Sequence, residues 1–229
     1  MKYSEDGKIG FIEESHQYIH IETGEILTSV TTVIGKYKQP FDSDYWSKKK
    51  ADERGVNQQV ILDEWETKKN RACDMGTYIH NGLEDAFNGN LHELDSKLYA
   101  KSSIANQFTR EVILTKKIEP ILIEPILYDV DLGIAGQMDL FGKTSKGNFV
   151  FDYKTNEELK MKNFYSNMNR PFEKMDDCNW NHYQIQLNTY RELLEKTGQK
   201  VDGMYVIYFD YFEYKFMKVN KFDVLNSIF

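Results

Sequence analysis

Apolar and polar residues alternate along Ile9–Val30 (IGFIEESHQYIHIETGEILTSV), interrupted at EES and ETGE, and this predicts a small β-hairpin or meander. Thr28-Ser29 then offers a cap for a short helix through Lys36, with Val30, Val33 and Ile34 inward and Pro40 beyond it. A polar helical pattern covers Ser43 to Arg54. A long one follows from Asn57 to Phe87, with a break expected near Gly76. The spacing of Leu98, Ile104, Phe108, Val112 and Ile113 predicts a further helix over Glu93–Lys117. The period then shortens. Ile118–Val130, Gly133–Phe141 and Asn148–Thr155 read as three successive strands, followed by a loop without clear period to about Asn179. Asn181–Lys196 carries an inward stripe of Tyr183, Leu187, Tyr190 and Leu194, with Gly198 as a stop. Gly203–Phe209 and Phe212–Val219 read as the last strands.

That order describes one α/β or α+β domain, and 229 residues suffice for a single core. Residues 1–56 read as an N-terminal hairpin and helical extension, and 57–219 as the core. Hydrophobic residues make up 41% and charged residues 28%, which excludes a disordered chain. No apolar run approaches a membrane span, and the N-terminus lacks the apolar stretch of a secretory signal. Cys73 and Cys178 stand far apart, which points to a reducing, cytoplasmic setting and away from a cysteine-held zinc or iron–sulfur site. A net charge of −7 argues against coating nucleic acid by bulk attraction. It leaves room for an enzyme that grips a strand locally, whose phosphate-binding charge would then have to be clustered. Lys160, Lys162, Arg170 and Lys174 are interleaved with Phe164, Tyr165 and Phe172, a mixture suited to a single strand and equally to an ordinary polar loop.

The densest chemistry lies in the strands around Asp139 (IAGQMDLF) and Asp152 (NFVFDYKT), joined by the turn-forming GKTSKGN. Alternation sends Asp152 and Lys154 to one face, and a hairpin brings Asp139 beside them. Two carboxylates for a divalent cation and an ammonium for an anion suit phosphoryl transfer; a charged outer face is the plainer alternative. Upstream, His80 and Glu84 share a helical face and could ligate a metal or simply satisfy each other. Glu124 sits in an apolar strand, where burial requires a partner, a metal or an exposed edge. Gln186 and Tyr190 lie one turn apart on the later helix.

Taken in order, His80 in G-x-x-x-H-x-x-x-E, Glu124, Asp139 in G-x-x-D, Asp152-Tyr153-Lys154 and Gln186-x-x-x-Tyr190 resemble the RecB-like nucleases of the PD-(D/E)XK superfamily. Thr28-Ser29-Val30-Thr31-Thr32-Val33-Ile34, with Trp46 downstream, resembles the S-V-T segment of the mitochondrial genome maintenance exonuclease group and its phage relatives. The likeness covers roughly residues 10 to 190. It implies a restriction-endonuclease-like core with a central mixed sheet flanked by helices. It also implies a Mg²⁺ or Mn²⁺ held by His80, Asp139, Asp152 and the Tyr153 carbonyl, with Lys154 as catalytic lysine and Glu124 as accessory acid. Glu84 and Gln137 would be accessory neighbours, with Gln186 and Tyr190 beside the site toward DNA. Relatives with a four-cysteine iron–sulfur cluster differ, since this chain lacks the cysteines. The expected function is a metal-dependent DNA exonuclease acting on single strands or DNA ends, in a bacterial or phage-infected cell. A sequence- or structure-specific endonuclease and a non-cleaving scaffold are the alternatives.

Overall fold

The alternating N-terminal segment folds as the meander its pattern predicts. A computed structural model describes residues 1–229, beginning with β1 (Lys2–Tyr3), β2 (Ile9–Ile12), β3 (Gln17–His20) and β4 (Ile26–Ser29), paired antiparallel in sequence. Ser29 ends β4 and caps α1 (Val30–Gly35), its side chain accepting from the Thr32 N–H. Asp42 caps α2 (Ser43–Arg54), which stops at Gly55 with φ +64°.

The next helix, α3 (Gln58–Phe87), is continuous over 30 residues, so the break expected at Gly76 does not occur. Gly76 serves a different purpose: a Cβ there would lie 3.3 Å from Thr155 Oγ1, so the missing side chain lets α3 approach the strand end. The helix predicted over Glu93–Lys117 is shorter than its pattern. It forms as α4 (Ser102–Phe108) followed by a π-turn at Thr109–Ile113. Residues 88–101 stay outside it because the Asn106 side chain donates to Leu94 O and accepts from Leu94 N, replacing helical bonds.

Five strands, rather than three, follow: β5 (Glu119–Ile123), β6 (Ile126–Asp129), β7 (Ile134–Gln137), β8 (Leu140–Thr144) and β9 (Gly147–Lys154). The chain closes with α5 (Asn179–Lys196), β10 (Gly203–Phe209), β11 (Tyr214–Val219) and α6 (Leu225–Ile228). The fold is α+β with two mixed sheets in place of one: β1-β2-β3-β4-β7-β6 and β11-β10-β9-β8-β5. The division has a local cause. Glu124 adopts φ +47° before Pro125, which has no N–H to donate, so the apolar run Ile118–Val130 bends between β5 and β6. Opposite the bend, Met138 and Asp139 separate β7 from β8. Glu124 N–H donates to Asp139 O at 2.9 Å, and Met138 N–H donates to Pro125 O at 3.1 Å, so the corner stays hydrogen-bonded.

Alternation along β9 supplies two cores. Phe149, Phe151 and Tyr153 pack with Ile79, Leu83 and Phe108 on the α3–α4 side. Val150 packs with Ile185, Leu187 and Tyr190 on the α5 side. A smaller cluster around Ile9, Phe11 and Leu27 closes the N-terminal sheet. No helix is long and apolar enough to cross a membrane.

Candidate active site

The corner between the sheets opens into a cleft of about 520 Å³. Of the residues singled out from the sequence, His80, Glu124, Gln137, Asp139, Gln186 and Tyr190 line it. They arrive from α3, the corner and α5; Asp152, Tyr153 and Lys154 are not among the lining residues and reach the site only through Asp139.

Asp139 is central. Leu140 is paired with Phe151, so the residue before it falls at the end of β8 beside Asp152. One Asp139 oxygen accepts the Tyr153 N–H at 2.6 Å, and the other faces Nδ1 of His80 at 3.4 Å. Burial pushes the Asp139 carboxyl up, but the His80 charge and the bonds outweigh it and hold it below the usual carboxylate range. Burial likewise lowers His80, and the Asp139 carboxylate more than reverses this, leaving the imidazole above its ordinary value.

Asp152 and Lys154 project to the α5 side and form an ion pair. Asp152 is 2% exposed, and its Oδ2 receives no aligned hydrogen bond. Desolvation dominates there, pushing the carboxyl up from 3.8 to about 6. Burial lowers Lys154, while Asp152 and Asp139 together raise it, so the ammonium stays charged. Its Nζ also lies 4.9 Å over the Tyr183 ring.

The arrangement is a chain of groups rather than a finished cage. No three His, Cys, Asp or Glu side chains converge as a ready-made metal centre. The alternation of β9 is the reason, since Tyr153 stands against His80 on one face while Asp152 and Lys154 lie on the other. Asp139, at the strand end, adjoins both. The donor chemistry still fits a hard cation: buried carboxylate oxygens, one of them without an aligned hydrogen bond.

Glu124 is held by Lys2 at 2.6 Å and by Gln137 Nε2 at 2.8 Å, so its partner is an ammonium and an amide. Burial and the charge of Glu124 raise the Glu84 carboxyl, and Lys2 lies 3.9 Å from it. Gln186 donates to Tyr190 OH at 3.3 Å. Tyr190 is only 2% exposed and packs under Gly136, where a Cβ would meet its ring at 2.8 Å. It therefore shapes the cleft floor more than it reaches outward. The Tyr153 side chain is buried with its hydroxyl unpaired, which leaves only its backbone for the site. Lys160, Lys162 and Arg170 lie in the exposed 156–178 loop and are not brought to the cleft wall.

Two contributors escape sequence reading. Lys2 reaches Glu124 from the far N-terminus, and no local signal marks it. Lys101 is fully buried and donates to the carbonyls of Thr155, Asn156 and Phe209 at 3.1, 3.0 and 2.9 Å, pinning the strand end that follows Lys154.

Neither a protein-family model nor a curated protein matches the chain. Among solved structures, it is similar to a protein named SSO0001, with 16% identity over 88% of this chain and 70% of that one, at a TM-score of 0.38. It is also similar to a candidate exonuclease from Eubacterium rectale, with 16% identity over 69% of this chain and 60% of that one, at a TM-score of 0.44.

Proposed function

We propose that the chain is a metal-dependent phosphodiester hydrolase, a RecB-like nuclease of the PD-(D/E)XK type that acts on DNA ends or single strands. The observation that carries this reading is the adjacency of Asp139, which lines the cleft, to the Asp152–Lys154 ion pair, which is buried beside it outside the cleft lining. His80, Asp139, Asp152 and the Tyr153 carbonyl would hold Mg²⁺ or Mn²⁺, with Lys154 paired to Asp152 beside them. Such an ion, when bound, activates water and offsets charge on the phosphate. Lys154, raised and cationic, orients the attacking water and balances negative charge developing on the non-bridging oxygens. Glu124, already neutralised by Lys2, shapes the field of the cleft without competing for the central position. Gln186 faces the cleft over Tyr190 and offers an amide to the backbone of a strand. The loop after Lys154 presents Phe164 at 84% and Tyr165 at 97% exposure among Lys160, Lys162 and Arg170, a surface suited to unstacked bases and phosphates.

The test is a digest of end-labelled single- and double-stranded DNA with Mg²⁺, Mn²⁺ or EDTA. Cleavage is expected with either cation and none in EDTA; equal cleavage in EDTA overturns the reading. Closed circular DNA separates the end-dependent enzyme from an endonuclease, because only the latter opens it.

A further inference from the structure

A second concavity, of about 560 Å³, shares no residue with the cleft. It lies on the face of the five-stranded sheet that carries Phe149 and Phe151, opposite Asp152 and Lys154. Its wall is aromatic. Phe151, Tyr205 and Phe216 come from three neighbouring strands, with ring centroids 6.1 to 6.3 Å apart. Phe216 is 42% exposed, unlike the enclosed rings behind it. Lys116 and Lys117, from the turn after the π-turn, and Lys146, from the β8–β9 turn, form the rim, and all three are exposed.

No carboxylate lines this concavity, although acidic residues outnumber basic ones by 36 to 29 along the chain. Glu111, on the neighbouring π-turn, is engaged by Tyr214 OH at 2.6 Å and by Gln107 Nε2 at 2.9 Å. Those donors are neutral, so Glu111 keeps its charge near Lys117, and three ammonium groups against this one neighbouring carboxylate leave the rim cationic beside the aromatic wall. A mononucleotide presents the complement, one π-face and one phosphate dianion. Stacking suits the wall, ammonium groups suit the phosphate, and the volume falls within the range of small-molecule sites. The lysines gather round one hollow rather than along a track, which favours a single nucleotide over a strand.

We propose that this concavity binds a mononucleotide, its base against Phe216 and Tyr205 and its phosphate toward Lys116, Lys117 and Lys146. The proposal is independent of the hydrolytic reading, because neither Asp152 nor Lys154 takes part.

Isothermal titration of the full chain in EDTA tests it, with dAMP as ligand and adenosine, inorganic phosphate and a single-stranded oligonucleotide as comparisons. Saturable one-to-one binding of dAMP is expected, tighter than that of adenosine or phosphate. Phe216→Ala should weaken it about tenfold through lost stacking. The Lys116→Ala/Lys117→Ala double variant should weaken it about fivefold, and Lys154→Ala should leave it unchanged. The altered side chains at the concavity are exposed, and circular dichroism verifies the fold; should Phe216→Ala misfold, the lysine variant decides alone. Absence of dAMP binding at millimolar concentration, binding of the oligonucleotide alone, or binding lost in Lys154→Ala and retained in the concavity variants overturns the proposal.

Discussion

The carboxylate of Asp139 joins two elements at once, accepting the Tyr153 N–H at 2.6 Å while facing His80 Nδ1 at 3.4 Å. Removing it should show on both sides. In Asp139→Ala a buried N–H loses its acceptor, at a cost of about 1–3 kcal/mol in stability. Burial then acts on His80 without the opposing carboxylate, so its pKa should move from above the ordinary value to below it. An NMR titration of the His80 ring checks the direction.

Asp152 makes the metal-free protein sensitive to pH. Its carboxyl rises from 3.8 to about 6 on folding, so between those values the folded state holds a proton that the unfolded state has released. Stability should therefore fall as pH rises from about 4 to about 6, by on the order of 3 kcal/mol from this group, and level off above. Denaturant unfolding in EDTA, compared with Asp152→Asn, isolates the contribution. The difference between the two proteins should vary across that window and be constant above it.

Lys101 is buried where lysine rarely is, with three carbonyls around its ammonium. Lys101→Met keeps the stem and removes the donors, leaving three polar acceptors uncompensated. A loss of about 3 kcal/mol in urea unfolding is expected.

Gly136 lies where Tyr190 and Val30 close over the strand, with a Cβ meeting Tyr190 at 2.8 Å and Val30 at 3.0 Å. Gly136→Ala should cost about 1–3 kcal/mol by overpacking. Thermal melts measure it, and Val30→Ala in the same chain should recover part of the loss.

Much of this fold was legible because its core elements are amphipathic in simple periods. The β9 alternation and the Tyr183–Leu194 stripe of α5 formed where the pattern placed them. The corner at Glu124–Pro125 was not legible, because an unbroken apolar run reads as one strand while the bend depends on a φ of +47° at Glu124. The coil before α4 was hidden for another reason. Leu94 and Leu98 have helical spacing, yet the Asn106 amide captures Leu94, and tertiary contact overrides local preference. In the cleft, motif order anticipated that His80, Asp139, Gln186 and Tyr190 converge. Lys2 and Lys101 carry no such mark, since a lone lysine in sequence reads as solvated.

Cation-dependent cleavage by this chain is proposed to depend on Asp152 and Lys154 together. Single-turnover cleavage of an end-labelled DNA strand by wild type, Asp152→Asn and Lys154→Ala, each with Mn²⁺ and with EDTA, measures that dependence. Fast cleavage is expected for wild type with Mn²⁺, cleavage slower by about 10²–10⁴-fold for both variants, and none for any of the three in EDTA. A rate in either variant comparable to wild type would contradict it, showing that the replaced side chain is not needed for cleavage.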